Sequence, residues 1–434
     1  MKNVQLSLNA PIVAEYDVVV CGGGPAGFIA AIAAARGGAS VALIEQYGFL
    51  GGTATAGLVA PISRFNFGGR RVIGGIPWEF VERLKEIGSA MEENPPGNIT
   101  YMPEKYKLTA QRMVLEAGVE LYLHSYLVGC VCDGGKISHV VLHTKKGAQA
   151  IGAKYFIDCT GDADLAYMAN VPMQPANKSG KLQPASLCFC IGGVDTAKMP
   201  LAHHNLDTEN LHDLALQAAL HELEKTEDVP LFGGPWYCSV MEEGYLIVNM
   251  TRISADMTDN KEATRAECVL HEDVNRLVEL LRRHVPEYKN AFLISTATQV
   301  GVRETRRILG AHTLTGEEYL NGVDFPDAVS RGCHPIDIHH GGDTGQRCSF
   351  LKCAAYIPYR TLYSPGFDNL LVAGRCFSAD EVSSASVRVQ ASVMGLGQAA
   401  GVSAAMCAKN GGSVADVDTD ALRARLVELG AVLD

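Results

Sequence analysis

Apolar positions near the start of the chain concentrate in two short runs, within YDVVVC (16–21) and SVALIE (40–45), each too short for a helix and without alternation. Such runs predict strands buried on both faces. Between them, GGGPAGFIAAIAAARGG (22–38) is a glycine cluster, an alanine-rich helical stretch and a closing glycine pair. The pattern predicts a β-α-β unit of the length used in dinucleotide folds.

Farther on, GGIPWEFVERLKEIG (74–88) and YKLTAQRMVLEAG (106–118) carry apolar residues at helical spacing. Three strand-like pieces follow, VELYLHSYLVGCVC (119–132), KISHVVLHTKKG (136–147) and KYFIDCTGDADLA (154–166). The turn signals Asp133-Gly134-Gly135 and Lys146-Gly147 predict a meander of hairpins. Residues 165–345 mix strand-like runs with polar helices over 205–226 and 258–285, which predicts an inserted α+β unit. The apolar strand pattern returns at NLLVAG (369–374), before a glycine- and alanine-rich helix; the tail from 414 reads as one short amphipathic helix. The predicted fold is α/β, a Rossmann-like domain built from 1–165 and 350–434 and interrupted by an α+β substrate domain over 166–349.

Composition narrows the partners. The net charge is −11 (37 basic against 48 acidic residues), with no run of Lys or Arg, which disfavours phosphate backbones and hence nucleic acid. The longest apolar runs are strand-sized or broken by glycine and charge, so no membrane span is predicted, and no leader pattern is read at the start. Thirteen cysteines are scattered and never spaced as CxxC. They are read as reduced, mostly buried thiols, which points to a cytoplasmic setting rather than a metal or disulfide framework.

Gly22, Gly24 and Gly27 complete G-x-G-x-x-G between the first strand and its helix. The first permits the tight turn, the second lets the backbone approach a pyrophosphate, and the third lets helix and strand pack closely. Glu45 ends the next strand, where an acid would grip a ribose diol. A second match, GLGQAA (395–400), lacks a strand before it and an acid-terminated strand after it, so it reads as helix-packing glycines rather than an NADPH site.

Four stretches resemble the FAD-dependent oxidoreductases of the two-dinucleotide-binding-domain, glutathione-reductase-like class: DVVVCGGGPAGFIAAIAAARGG with VALIEQ, GGTATAG (51–57), FIDCTGDADLA (156–166), and DNLLVAGRCFSA with SVRVQASVMGLGQAAGVSAA (368–405). GVRETRRILGAHTLT (301–315), HPIDIH (334–339) and YIPYRTL (356–362) resemble one subfamily of them. The resemblance spans nearly the whole chain and implies FAD as cofactor. It implies that Gly22, Gly24 and Gly27 hold the pyrophosphate and Glu45 the adenosine ribose. Gly51, Gly52 and Thr53 would run past the ribityl and isoalloxazine side, and Val128 would meet adenine through its backbone. Asp162 would lie at a strand's carboxyl end, Gly374 and Arg375 would close the second flavin strand, and Gly397 and Gln398 would face the flavin pyrimidine from a helix N-terminus.

Substrate chemistry needs a proton carrier and positioning groups. The polar residues of 301–390 supply candidates, chiefly Arg303, His334, His339, Arg360 and Glu381. Arginines of GVRETRR either clamp a substrate carboxylate or form salt bridges at a turn. GCHPIDIHHGGD (332–343) admits three readings: a metal site, a substrate-facing loop with one histidine as proton carrier, or a structural turn. The second is favoured, with His339 ahead of His334 and His340 a bystander, and no metal is expected. Where the subfamily often has a His-Glu pair after GRC-x-S-A, this chain has Asp380-Glu381. The expected activity is hydride transfer between FAD and a small organic substrate, with the electron acceptor open and a homo-oligomer possible. The alternative is an FAD enzyme without net redox, such as an isomerase, a lyase or an RNA-modifying enzyme.

Overall fold

The computed structural model describes residues 7, 9–92, 97–175, 182–198, 211–239, 242–340 and 345–434, so Asp343 lies outside the described residues. Strand β1 (Ile12–Cys21), helix α1 (Pro25–Arg36) and strand β2 (Val41–Ile44) form the unit that the apolar runs predict. Proline opens α1, where a missing N–H is harmless, and Gly37 closes it by donating to the Ala33 and Ala34 carbonyls. α1 is buried on nearly all sides because it lies between the sheet and the long helix Gln390–Asn410.

The meander follows as β3 (Glu120–Tyr122), β4 (Tyr126–Asp133), β5 (Lys136–Thr144) and β6 (Gly147–Asp158). The sheet runs in the order β3-β2-β1-β6-β5-β4, parallel from β3 to β6 and antiparallel beyond. The piece read as one strand over 119–132 is therefore two. His124, at φ 52, redirects the chain so that β3 joins the parallel edge and β4 the hairpins.

β6 changes partner along its length. Gly147–Gly152 pairs with β5, while Phe156–Asp158 pairs in parallel with Leu370–Val372, a strand from the far end of the chain. Cys21 is in register with Asp158, and Asp158 with Val372. Three parallel strands thus end side by side, and the loops after all three open into one place, where ligands of open parallel sheets bind.

A second sheet orders Phe232–Ser239, Leu246–Thr251, Phe189–Gly192 and Phe292–Thr296, all antiparallel. The helix Asn260–His284, capped by the Asp259 carboxylate, lays Leu270, Val274, Leu277 and Leu281 into a core of its own. That core reaches only to Val300. Before residue 349, Leu314, Tyr319, Ala328 and Ile336 pack into the first core, and Ala328–Gly332 pairs with Ala355–Pro358.

The helix Gln390–Asn410 has 21 residues and a mean hydropathy of 1.3 in its most apolar window, enough by length and composition to cross a membrane. Its apolar surface is instead taken up by packing, with 83% of that window buried. Every cysteine whose side chain is described is a free thiol.

Candidate active site

The three loop ends and the second sheet enclose a cleft of about 710 Å³. Its floor is the glycine turn after β1. Gly22 has φ 98, and a Cβ there would lie 2.4 Å from the Cys159 carbonyl oxygen. A Cβ on Gly27 would strike the Gly22 carbonyl at 1.8 Å. At Gly24 the nearest atom is 3.8 Å away, a Cα of Gly52, so the space over this residue is open. The first turn of α1 has no side-chain cap, which leaves backbone N–H groups for an anion. Both Glu45 oxygens brace the turn: Oε2 accepts from Gly23 N–H at 2.8 Å and Oε1 from Tyr47 N–H at 2.9 Å. Each oxygen keeps a second lone pair for a hydroxyl.

Beyond β6, the buried Asp158 carboxylate accepts from Thr160 N–H, Thr160 Oγ1–H and Ala166 N–H, which folds residues 159–166 over the strand end. Asp162 is thereby placed at the cleft, where Arg375 donates to it at 2.6 Å and Thr305 also donates.

The opposite wall comes from the hairpin Ile336–His339 with Gln346–Ser349. His339 is wired at both ring nitrogens: Nδ1 accepts from Arg252 at 2.9 Å and Nε2–H donates to Asp337 at 2.8 Å. Burial, then the Arg303 charge, pushes it down to about 3, so the ring is neutral. His334 differs. Its Nδ1–H donates to the Pro335 carbonyl at 2.7 Å, burial pushes it down to about 4, and Nε2 has no hydrogen-bond partner among the described residues. Burial alone would raise Asp337, but His339 and Arg388 outweigh it and hold the carboxyl well below its usual range. Arg388 donates to the Asp337 carbonyl at 3.0 Å. Arg303 donates to the Pro184 carbonyl at 2.6 Å and to Ser186 Oγ at 2.8 Å, and burial lowers it to about 9. Among the described residues no group of three or more His, Cys, Asp or Glu side chains is arranged to hold a metal.

The family model described as "FAD dependent oxidoreductase" matches residues 17–426. The chain belongs to this family. Thiamine thiazole synthase of Pyrococcus horikoshii is 29% identical over 155 residues, 34% of this chain and 58% of that protein. The same enzyme of Methanococcus aeolicus is 30% identical over 164 residues, 35% of this chain and 57% of that protein. The chain thus matches just over half the length of these relatives. Among solved structures, a geranylgeranyl bacteriochlorophyll reductase-like protein of Thermoplasma acidophilum aligns with a TM-score of 0.45 and 14% identity, over 96% of this chain and 83% of that one.

FAD is the cofactor of this family member, and the residues fit it: an open glycine floor, an uncapped helix start and a braced acid at one end of a cleft of suitable size. Of the positions the resemblance implies for FAD, Gly22, Gly24, Glu45, Gly52, Thr53, Asp162, Gly374 and Arg375 line the cleft, and Gly27 packs beneath it. Four do not reach it. Gly51 is buried, and a Cβ there would lie 2.5 Å from the Thr55 side chain. Val128 is exposed on β4, and its neighbours Ser125, Tyr126 and Leu127 line the cleft instead. Gly397 sits against α1, where a Cβ would lie 2.1 Å from the Ala26 carbonyl oxygen. Gln398 is buried and accepts from Ile76 N–H at 2.9 Å. The start of that helix meets the cleft two turns earlier, through Gln390 and Val393.

Among the substrate-side candidates, the fold brings together Arg303, His334 and His339 and leaves out two. Arg360 forms a two-pronged pair with Asp327 away from the cleft, at 2.9 and 3.1 Å. Glu381 begins the helix Glu381–Val387 outside it, near the Glu304–Arg307 pair. The subfamily departure at 380 has a structural use, since Asp380 caps that helix through Ser383 N–H and also accepts from Gly316 N–H. Both ring nitrogens of His339 are hydrogen-bonded, while Nε2 of His334 has no partner among the described residues. Sequence reasoning missed Arg252. It sits in the strand run LIVNMTRIS, distant from the polar cluster, and only its crossing to His339 reveals it.

Proposed function

We propose that this flavoenzyme oxidises or reduces a small organic substrate by hydride transfer to or from its FAD, with His334 handling the substrate proton. One observation carries the reading. A single cleft is lined at one end by the glycine cradle and at the other by His334, Asp337, Arg303 and Arg388, so a molecule held by the second group shares the space with the cofactor. When bound, FAD supplies the two-electron acceptor or donor; every other task falls to side chains. Pro335 holds the His334 ring and its tautomer, and this leaves Nε2 as a lone pair toward the cleft. Asp337 and His339 hold the hairpin and balance the neighbouring guanidiniums.

The test is purification followed by anaerobic screening of candidate substrates for flavin bleaching. A yellow protein, bleached by dithionite and by a substrate, is expected. A colourless protein that takes up no added FAD would end the reading. Turnover that consumes no electron acceptor would favour an FAD enzyme without net redox.

A further inference from the structure

We infer that the substrate of this cleft carries a carboxylate, seated against Arg303 and Arg388. The inference rests on the reading of the cleft as the active site and deepens it.

Arg375, which also lines the cleft, has its own carboxylate in Asp162, and outside the cleft Arg306 has Asp164 and Arg307 has Glu304. At the hairpin end the balance fails. Asp337 is the carboxylate shared there by His339, which donates to it, and by Arg388, 3.7 Å from it. Arg303 lies close enough for its charge to be felt by His339, yet its bonds go to a carbonyl and a hydroxyl, and no carboxylate lies within 4.0 Å of it among the described residues. Only Nη1 of Arg303 is used in those bonds, so the rest of a five-donor fork is left toward the cleft it lines.

A cation removed from water without a counter-charge is unfavourable, and a planar guanidinium matches a carboxylate with two parallel bonds. A bound carboxylate would supply the missing charge. It would also offset the Arg388 field that lowers His334, which raises the affinity of Nε2 for a proton when substrate is present. The cofactor's phosphates are the rival claimant. They already have the glycine turn and the uncapped α1 start, whereas Arg303 is anchored on Pro184 and Ser186, at the entry to the second sheet.

The experiment titrates the FAD-loaded protein with succinate, with acetate and with neutral succinamide, and follows the flavin difference spectrum. Saturable perturbation by the carboxylates and none by succinamide is expected. The succinate dissociation constant should rise about ten- to a hundredfold in Arg303→Gln and in Arg388→Gln, the range of a lost charge-assisted hydrogen bond, and recover in part in Arg303→Lys. FAD content should match the wild type in all three. A wild type insensitive to both carboxylates, or variants with unchanged dissociation constants, would overturn the inference. Loss of FAD from Arg303→Gln and Arg303→Lys would overturn it too, since it would assign Arg303 to the cofactor. Dithionite bleaching separates the two levels. Bleaching that persists without carboxylate binding leaves the flavoenzyme reading standing, and absent flavin chemistry removes both.

Discussion

Nε2 of His339 donates to the Asp337 carboxylate at 2.8 Å, a bond between side chains two positions apart on one short strand. Alternation puts such residues on one face. The face is turned toward the cleft, where Arg252 closes the chain from the other ring nitrogen. His339 thus bonds at both ring nitrogens, and under the proposed function it positions Asp337 and Arg252, while Nε2 of the neighbouring His334 has no partner among the described residues.

Replacement of the two histidines should separate these roles. His334→Gln should keep FAD and slow flavin reduction by about 10²- to 10⁴-fold, the range of a lost proton-transfer group. His339→Gln should act mainly on substrate affinity. Anaerobic stopped-flow reduction with a substrate found by bleaching measures both; an equal loss of limiting rate in the two variants would contradict the division.

Acid should destabilise the protein through the same two rings. Both have folded values below the ordinary 6.5, about 4 for His334 and about 3 for His339. The unfolded chain therefore takes up protons that the folded chain refuses. Stability is full above the ordinary histidine value and falls as pH drops from there toward the folded values. Near pH 5 the loss is about 2 kcal/mol per ring. Urea unfolding at neutral pH and near pH 5 should show it, with a shallower pH slope in either Gln variant.

Asp337→Ala should be the most damaging change in the hairpin. It strips the shared carboxylate from His339 and Arg388 and leaves buried positive charge uncompensated. A loss of about 3–5 kcal/mol in unfolding free energy is expected. A denaturation midpoint within error of the wild type would show that the charges are balanced otherwise.

Gly397 and Gln398 should behave as packing residues. Gly397→Ala would push a Cβ into the Ala26 carbonyl and cost about 1–3 kcal/mol. Gln398→Leu would leave the Ile76 N–H without its buried acceptor, for about 1–3 kcal/mol. Thermal melts read both, and the visible flavin spectrum of Gln398→Leu should be that of the wild type.

Legibility followed the range of each interaction. The glycine turn, α1 and Glu45 form within 30 residues, so spacing alone showed them. The strand at 370–372 was legible as a strand, but its place beside β6 was not, because β6 exchanges one partner for another part-way along its ladder. Val128, Gly397 and Gln398 take their implied roles from motif position, yet Val128 is exposed, Gly397 lies against α1 and Gln398 is buried against Ile76, outcomes of packing rather than of spacing. Arg360 and Glu381 belong to the polar 301–390 region, yet Arg360 is taken up by Asp327, and Glu381 does not line the cleft.

By itself the sequence determined the α/β class, the FAD cradle and the polar hairpin as the place to look, since these depend on local conformation and short-range pattern. Only the tertiary structure decided which histidine is free, which arginine lacks a carboxylate and that Arg252 takes part. Those outcomes depend on burial and on contacts between positions as distant as Arg252 and His339, and no local pattern encodes the dielectric or the partner that such a contact brings.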